Sequence, residues 1–436
     1  MDDRQDAAAT DSLGHAINTI LPSLERFLRF EGQDPARERS RWRPALDRSL
    51  PGAGIGRDAT LAELADLVVA NGLRVGHPGF SGWVTTMPTD VGAAADLAQA
   101  VAVPQRFWAS AGNFVDHLAM RWLIELLGFP ETCVGTFTAG GSTANLIGIG
   151  AARQHAGERL GLRPSLDGID DMVEPRVYAS TETHHVVGRA LGVLGMGRRN
   201  LRAIPLDRSG TIDLDLLQSA LDEDLAAGCT QVAVVGCAGD VNTGRIDPIA
   251  ELARIAHERG IWLHVDGAYG GFGLLDDRVR ERYGDVATYD SFAIDPHKWL
   301  AAPVGTGAAI VRDEGILGRA FTIETGDYDR ERHVEAGDGD PGSRRGGGWR
   351  PRLTVRRAWI RHAGLGCRLL RTGPGSSSLG DPARDRRRRD GPAGRPARRL
   401  RPSRGGARSR VERAGAARGA GALDLLLPLP TGGLDR

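Results

Sequence analysis

The chain has 436 residues, 41% hydrophobic and 25% charged, with a net charge of +1. Such a composition suits a soluble protein with a large core in two or three domains, not a collagenous or disordered chain. Four cysteines (Cys133, Cys229, Cys237, Cys367) lack paired spacing, no apolar run nears the ~20 residues of a membrane span, and Met1-Asp2-Asp3-Arg4-Gln5-Asp6 shows no signal peptide. A cytoplasmic location is therefore expected, with no membrane partner. The net charge conceals an asymmetry. Of 56 basic and 55 acidic residues, 24 arginines and 6 acids follow residue 342, so that segment carries +18 and the rest −17.

In chain order, residues 12–50 read as helical, with Leu13, Ile17, Ile20, Leu21, Leu24 and Leu28 at helical spacing. Pro51-Gly52-Ala53-Gly54-Ile55-Gly56 is a loop, and no strand precedes it as a dinucleotide fingerprint requires. Residues 60–73 and a run from Val91 are again helical, separated by the turn-rich His77-Pro78-Gly79-Phe80-Ser81-Gly82-Trp83. From about Asn113 short apolar runs alternate with helical stretches. Strands are expected at 134–138, 176–180, 201–205, 231–237, 262–266, 289–294 and 306–311, and helices at 142–156, 184–194, 213–226 and 247–259. This alternation predicts an α/β fold with a mostly parallel seven-stranded sheet flanked by helices. Ligands of such sheets bind at the carboxyl ends of the strands.

After Asp340 the patterning stops. Arg, Gly, Ala and Pro dominate, 386–389 are four consecutive arginines, and composition predicts disorder. Two readings stand: a basic tail for nucleic acid or another polyanion, and a segment translated out of frame from GC-rich DNA. The domains expected are an N-terminal helical segment (1–105), a large α/β domain (106–315), a loop region (316–342) and the Arg/Gly-rich tail (343–436).

Lys298 is the chain's one lysine, in Ser291-Phe292-Ala293-Ile294-Asp295-Pro296-His297-Lys298-Trp299. Guanidinium cannot shed its proton and act as a nucleophile, whereas an amine can attack a carbonyl and form a Schiff base. A GC-rich genome also favours arginine codons, so the lone lysine by itself leaves both explanations open. Upstream, His264-Val265-Asp266-Gly267-Ala268-Tyr269 ends a buried-strand pattern on a carboxylate, which is costly unless partnered. Thr138-Ala139-Gly140-Gly141-Ser142-Thr143 follows a strand and opens a helix, a turn that suits a phosphate or merely caps the helix. His184 and His185 follow the strand at 176–180, and His297 adjoins the lysine. Amine, strand-end acid and Gly-Gly-Ser turn together match the needs of pyridoxal 5'-phosphate. No His/Cys/Asp/Glu set has metal-ligand spacing, so no metal is expected, and no Ser/His/Asp ordering emerges.

From His77 to Arg312 these segments, with the run 122–130 and Gly239…Asn242-Thr243-Gly244…Asp247-Pro248, resemble the group II pyridoxal-phosphate-dependent decarboxylases of aromatic amino acids, histidine and glutamate. The resemblance implies a type I pyridoxal-phosphate-enzyme fold, a homodimer, and decarboxylation of an L-amino acid to an amine and CO2 through a Lys298 Schiff base. By family role Asp266 pairs with the pyridine nitrogen, His184 stacks on the ring and Ala268 packs on its other face. Gly141, Ser142 and His297 hold the phosphate. Tyr328 lies in the region of the loop whose tyrosine protonates the carbanion. The chain departs from the family at Gly239-Asp240-Val241, around Ser110-Ala111-Gly112-Asn113, and after residue 342, where no small domain is recognisable and absence or disorder is expected. A lyase or aldehyde-forming relative with the same cofactor, and an inactive scaffold with a polyanion-binding tail, remain as alternatives.

Overall fold

Why the helical pattern of 12–50 breaks is visible in the backbone. A computed structural model describes residues 3–32, 39–50, 52–102 and 111–321. Tyr328, most of the 316–342 loop and the Arg-rich tail lie outside the described residues. Helix α1 (Asp3–Leu28) ends before Phe30 and Gly32, which take positive φ values of 57° and 93° that a right-handed helix cannot continue through. Then come α2 (Arg39–Leu46), α3 (Arg57–Glu63), a π-helical turn over Leu64–Val69, α4 (Asp90–Ala102) and α5 (Ala111–Leu127). The buried Ser23 hydroxyl donates to the Ala65 carbonyl (2.6 Å), tying α1 to the π turn.

The rest is a layered α/β sandwich. In chain order it comprises β1 (Val134–Thr138), α6 (Gly141–Arg159), α7 (Pro164–Asp167), β2 (Arg176–Ser180), α8 (Val186–Val193), β3 (Leu201–Ile204) and α9 (Leu214–Ala226). It continues with β4 (Gln231–Cys237), α10 (Ile249–Glu258), β5 (Trp262–Asp266), β6 (Ser291–Ile294), α11 (Pro296–Trp299), β7 (Gly307–Val311) and α12 (Ile316–Phe321). The seven strands form one sheet in the order β1-β7-β6-β5-β4-β2-β3. β3, β2, β4, β5 and β6 pair in parallel, while β7 runs antiparallel to both β6 and β1. β3 stops one residue short of the expected 205 because Pro205 has no N–H for the ladder. The helix expected at 184–194 begins at Val186, leaving His184 and His185 in the preceding turn.

Alternation along β5 sets what faces what. Leu263 and Val265 join a core with Leu127, Leu217, Leu221 and Leu252, while Trp262 joins the opposite core with Ile149, Val187 and Leu191. Trp262, His264 and Asp266 therefore share the face covered by α6. Small residues let α6 lie close: a Cβ on Gly148 would sit 2.4 Å from the His264 ring. The carboxyl ends of β1, β4, β5 and β6 and the start of β7 meet at one edge of the sheet, where the Gly140 turn and the Lys298 turn both lie.

Candidate active site

The lysine turn is built locally. Asp295 occupies the N-cap position of α11, Pro296 pre-sets the first helical φ, and the Lys298 N–H donates to the Asp295 carbonyl (3.0 Å). One helical turn returns the lysine side chain over its own cap, so Nζ lies 2.9 Å from Asp295 Oδ2. The Lys298 side chain is 18% exposed and that of Asp295 3%. Asp295 Oδ1 is buried without a hydrogen-bond partner among the described residues. Burial pushes the Asp295 carboxyl up, against the pull of the Lys298 charge.

Asp266 closes β5, in register with Cys237 and Ala293, and accepts the Ala268 N–H (3.1 Å). His184 lies in the fields of both Asp266 and Lys298. Burial first, then His185 and Lys298, hold its imidazole below the ordinary histidine range, with Asp266 opposing. Its ring sits 4.1 Å from that of His185 at 36°. Gly140 has a φ of 126°, which side chains rarely tolerate, and Gly141 packs against Ala268 and Asp295. A Cβ on Gly141 would come within 2.8 Å of Ala268 Cβ and 2.7 Å of Asp295 Oδ2. Gly141, Ala268, Asp295 and Lys298 are thus brought together. Ser142 is exposed on the first turn of α6, where helix N–H groups and dipole favour an anion.

His297 Nδ1 lies 2.8 Å from the Thr306 carbonyl, so Nδ1 carries the proton and donates. Donation to an anion from Nε2 then requires the imidazolium form. The His297 backbone carbonyl accepts from Thr86 N–H (3.2 Å) and Thr86 Oγ1 (3.1 Å), and Thr89 N–H donates to the Ala301 carbonyl (3.1 Å). The segment 85–89 therefore straps the lysine turn. Neither Asp295 nor Thr86 emerged from the sequence. Asp295 had a signal, an acid three residues before a lysine across a proline. Thr86 had none. Among the described residues no three His, Cys, Asp or Glu side chains converge to hold a metal ion.

Among the described residues one histidine is buried: His264 is fully enclosed, and burial pushes its imidazole down to about 4, opposed by Asp266. Unfolded, the same imidazole titrates near 6.5, so below that pH the unfolded chain binds the extra proton. Its contribution to stability is present above about 6.5 and is lost as pH falls toward 4. We expect the unfolding free energy from denaturant titrations to drop over this window with a slope approaching about 1.4 kcal/mol per pH unit. In His264→Gln that part of the slope disappears. Equal slopes in the two chains would refute the assignment.

Comparison with known proteins now adds to this geometry. The family model described as "Pyridoxal-dependent decarboxylase conserved domain" matches residues 57–337. The chain is 33% identical over 284 residues to the aromatic-L-amino-acid decarboxylase of Bacillus atrophaeus, covering 64% of this chain and 57% of that protein. It is 30% identical over 268 residues to the L-2,4-diaminobutyrate decarboxylase of Rhizobium meliloti (strain 1021), covering 61% and 52%. The chain spans about half the length of the curated relatives it matches. Among solved structures, the glutamate decarboxylase domain of a Vibrio parahaemolyticus protein superposes with a TM-score of 0.66 at 23% identity, covering 71% of this chain and 69% of that one. That likeness fixes the fold: the seven-stranded sheet is of the type I class.

Proposed function

The chain belongs to the pyridoxal-dependent decarboxylase family, and from that premise we propose that it decarboxylates an L-amino acid to an amine and CO2 with pyridoxal 5'-phosphate. The observation that carries this reading is the meeting of Lys298 Nζ, Asp295, Ala268 and the Gly140–Gly141 turn at the edge where Asp266 ends its strand.

The residues fit the cofactor. Gly141 has no room for a Cβ beside Ala268 and Asp295, so bare backbone lines the turn, and Asp295 Oδ1 is an acceptor without a partner among the described residues, beside the one amine. When bound, pyridoxal phosphate supplies an electron sink for the carbanion that CO2 loss leaves at Cα. Lys298 offers the amine that holds the aldehyde carbon. Before attack its ammonium must shed a proton, and Asp295 Oδ2, 2.9 Å away in a carboxyl raised by burial, is placed to take it. Asp266, by its negative charge, would hold a proton on the ring nitrogen. His184, kept neutral, would cover one ring face and Ala268 the other. The α6 N-terminus, with Gly141, Ser142 and His297, would hold the phosphate.

The proposal includes a homodimer, a second copy covering the exposed Val91, Leu97 and Val101 of α4. It also includes a cytoplasmic location. No helix among the described residues is long and apolar enough to cross a membrane.

Product analysis tests the reaction. With pyridoxal phosphate and a panel of aromatic, acidic and diamino acids, we expect stoichiometric CO2 and amine from one class. Aldehyde and ammonia in place of amine, with O2 consumed as the two-electron oxidant, would move the chain to the aldehyde-forming alternative. No turnover of any member, with cofactor bound, would leave it a binding scaffold.

A further inference from the structure

A line of four buried hydrogen bonds runs from the centre of the sheet to the glycine turn. Trp262 Nε1 donates to Ser291 Oγ (2.8 Å), Ser291 Oγ meets His264 Nδ1 (2.8 Å), and His264 Nε2 meets Asn145 Oδ1 (2.9 Å). Asn145 Nδ2 donates to the Gly141 carbonyl (2.9 Å). All four side chains are at most 3% exposed. The ends fix the direction. An indole N–H only donates and a backbone carbonyl only accepts. Because Asn145 must give its NH2 to Gly141, its oxygen faces His264, which must then donate from Nε2. Nδ1 is left as an acceptor, and the Ser291 hydroxyl, already accepting from Trp262, gives it the one hydrogen it has. Each group is satisfied in this arrangement, whereas the other tautomer sets a bare Nε2 against the Asn145 oxygen.

We propose that His264, locked as the neutral Nε2–H tautomer, is a positioning residue that sets the phosphate-binding turn relative to Asp266. The inference rests on the cofactor reading above. His264 and Asp266 lie two apart on one face of β5, so the line joins the strand that holds the ring nitrogen to the turn that holds the phosphate. The peptide unit is planar, so fixing the Gly141 carbonyl also fixes the Ser142 N–H on its far side, which points out of the helix N-terminus. The two ends of the cofactor are thereby held at one separation. The depressed proton affinity of the enclosed ring fits this assignment, because an imidazolium would have two donors facing Ser291 and Asn145 with no vacancy for the serine hydrogen.

Two measurements on the full chain test this. Long-range proton–nitrogen spectra of the histidine-labelled, cofactor-free chain at pH 7 should show a bare Nδ1 and a protonated Nε2 for the resonance that vanishes in His264→Gln. An Nδ1–H form or an imidazolium overturns the proposal. The second compares binding of pyridoxal phosphate and pyridoxal in wild type and Asn145→Leu, which breaks the line without adding charge. The preference for the phosphorylated aldehyde should fall about tenfold, roughly what one buried hydrogen bond contributes. A lesion that merely loosens the fold weakens both aldehydes alike, and an unchanged preference would overturn the role of His264. A wild-type chain that binds neither aldehyde defeats the cofactor reading, and with it this role, while the spectrum still decides the tautomer.

Discussion

Replacing Lys298 by arginine should abolish the adduct that borohydride fixes between this chain and pyridoxal phosphate, and should cut CO2 release by more than about 10³-fold. Arginine preserves the positive charge beside Asp295, so the buried carboxylate keeps its partner, but a guanidinium cannot shed a proton and attack the aldehyde. Lys298→Ala should show the same chemical loss with an added cost. Removing one member of a buried pair leaves the other uncompensated, a loss on the order of 3 kcal/mol unless Asp295 takes up a proton. The comparison separates nucleophile from counter-ion. Intact mass is a clean readout because the chain has one lysine, so the N-terminal amine is the other primary amine that reduction can trap. Retained CO2 release together with an adduct in Lys298→Arg would end the decarboxylase mechanism proposed for this site.

The second large effect is expected at Asp266. Asn is nearly the same shape, and its oxygen can still accept the Ala268 N–H, so the strand end stays intact. What disappears is the negative charge that keeps a proton on the ring nitrogen. Losing one preorganised electrostatic contact of this kind costs about 10²- to 10³-fold in turnover. Cofactor affinity should fall much less, since the phosphate and the lysine still hold their ends. Turnover within about threefold of wild type would show that another group carries the ring nitrogen's proton, and Asp295 would then be the residue to replace.

Much of this fold was legible because its central strands are buried on both faces. Arg176–Ser180, Gln231–Cys237 and Trp262–Asp266 stand out as continuous apolar runs, and their observed bounds are those expected. The expected helices do not include α5, although Met120, Leu123, Ile124 and Leu127 bury one stripe at helical spacing. Within 122–130 the same letters serve as a family motif, and the periodicity was masked by it. At the site, Lys298, Asp266 and the glycine turn were visible because each ends or follows a strand. The Asp295 contact depends on a four-residue helical turn forming behind Pro296, and the His264–Asn145 bond joins residues 119 positions apart. Neither is local enough for a pattern to reveal. Tyr328 lies outside the described residues.

The strap across the lysine turn has a temporal consequence. Thr86 and His297 are 211 positions apart, yet the carbonyl next to the reactive amine is bonded by that distant threonine. On a ribosome adding roughly 5–20 residues per second, Thr86 exists for on the order of 10 to 40 seconds before its acceptor does. α4 must carry exposed Val91, Leu97 and Val101 through that interval. Pairing β1 with β7, Thr138 beside Gly307, closes a loop of similar length, so the strap and that ladder both belong to the long-range part of the fold. The turn that bears Lys298 is therefore completed from the far end of the chain: no local stretch of sequence supplies the donors that the His297 carbonyl accepts.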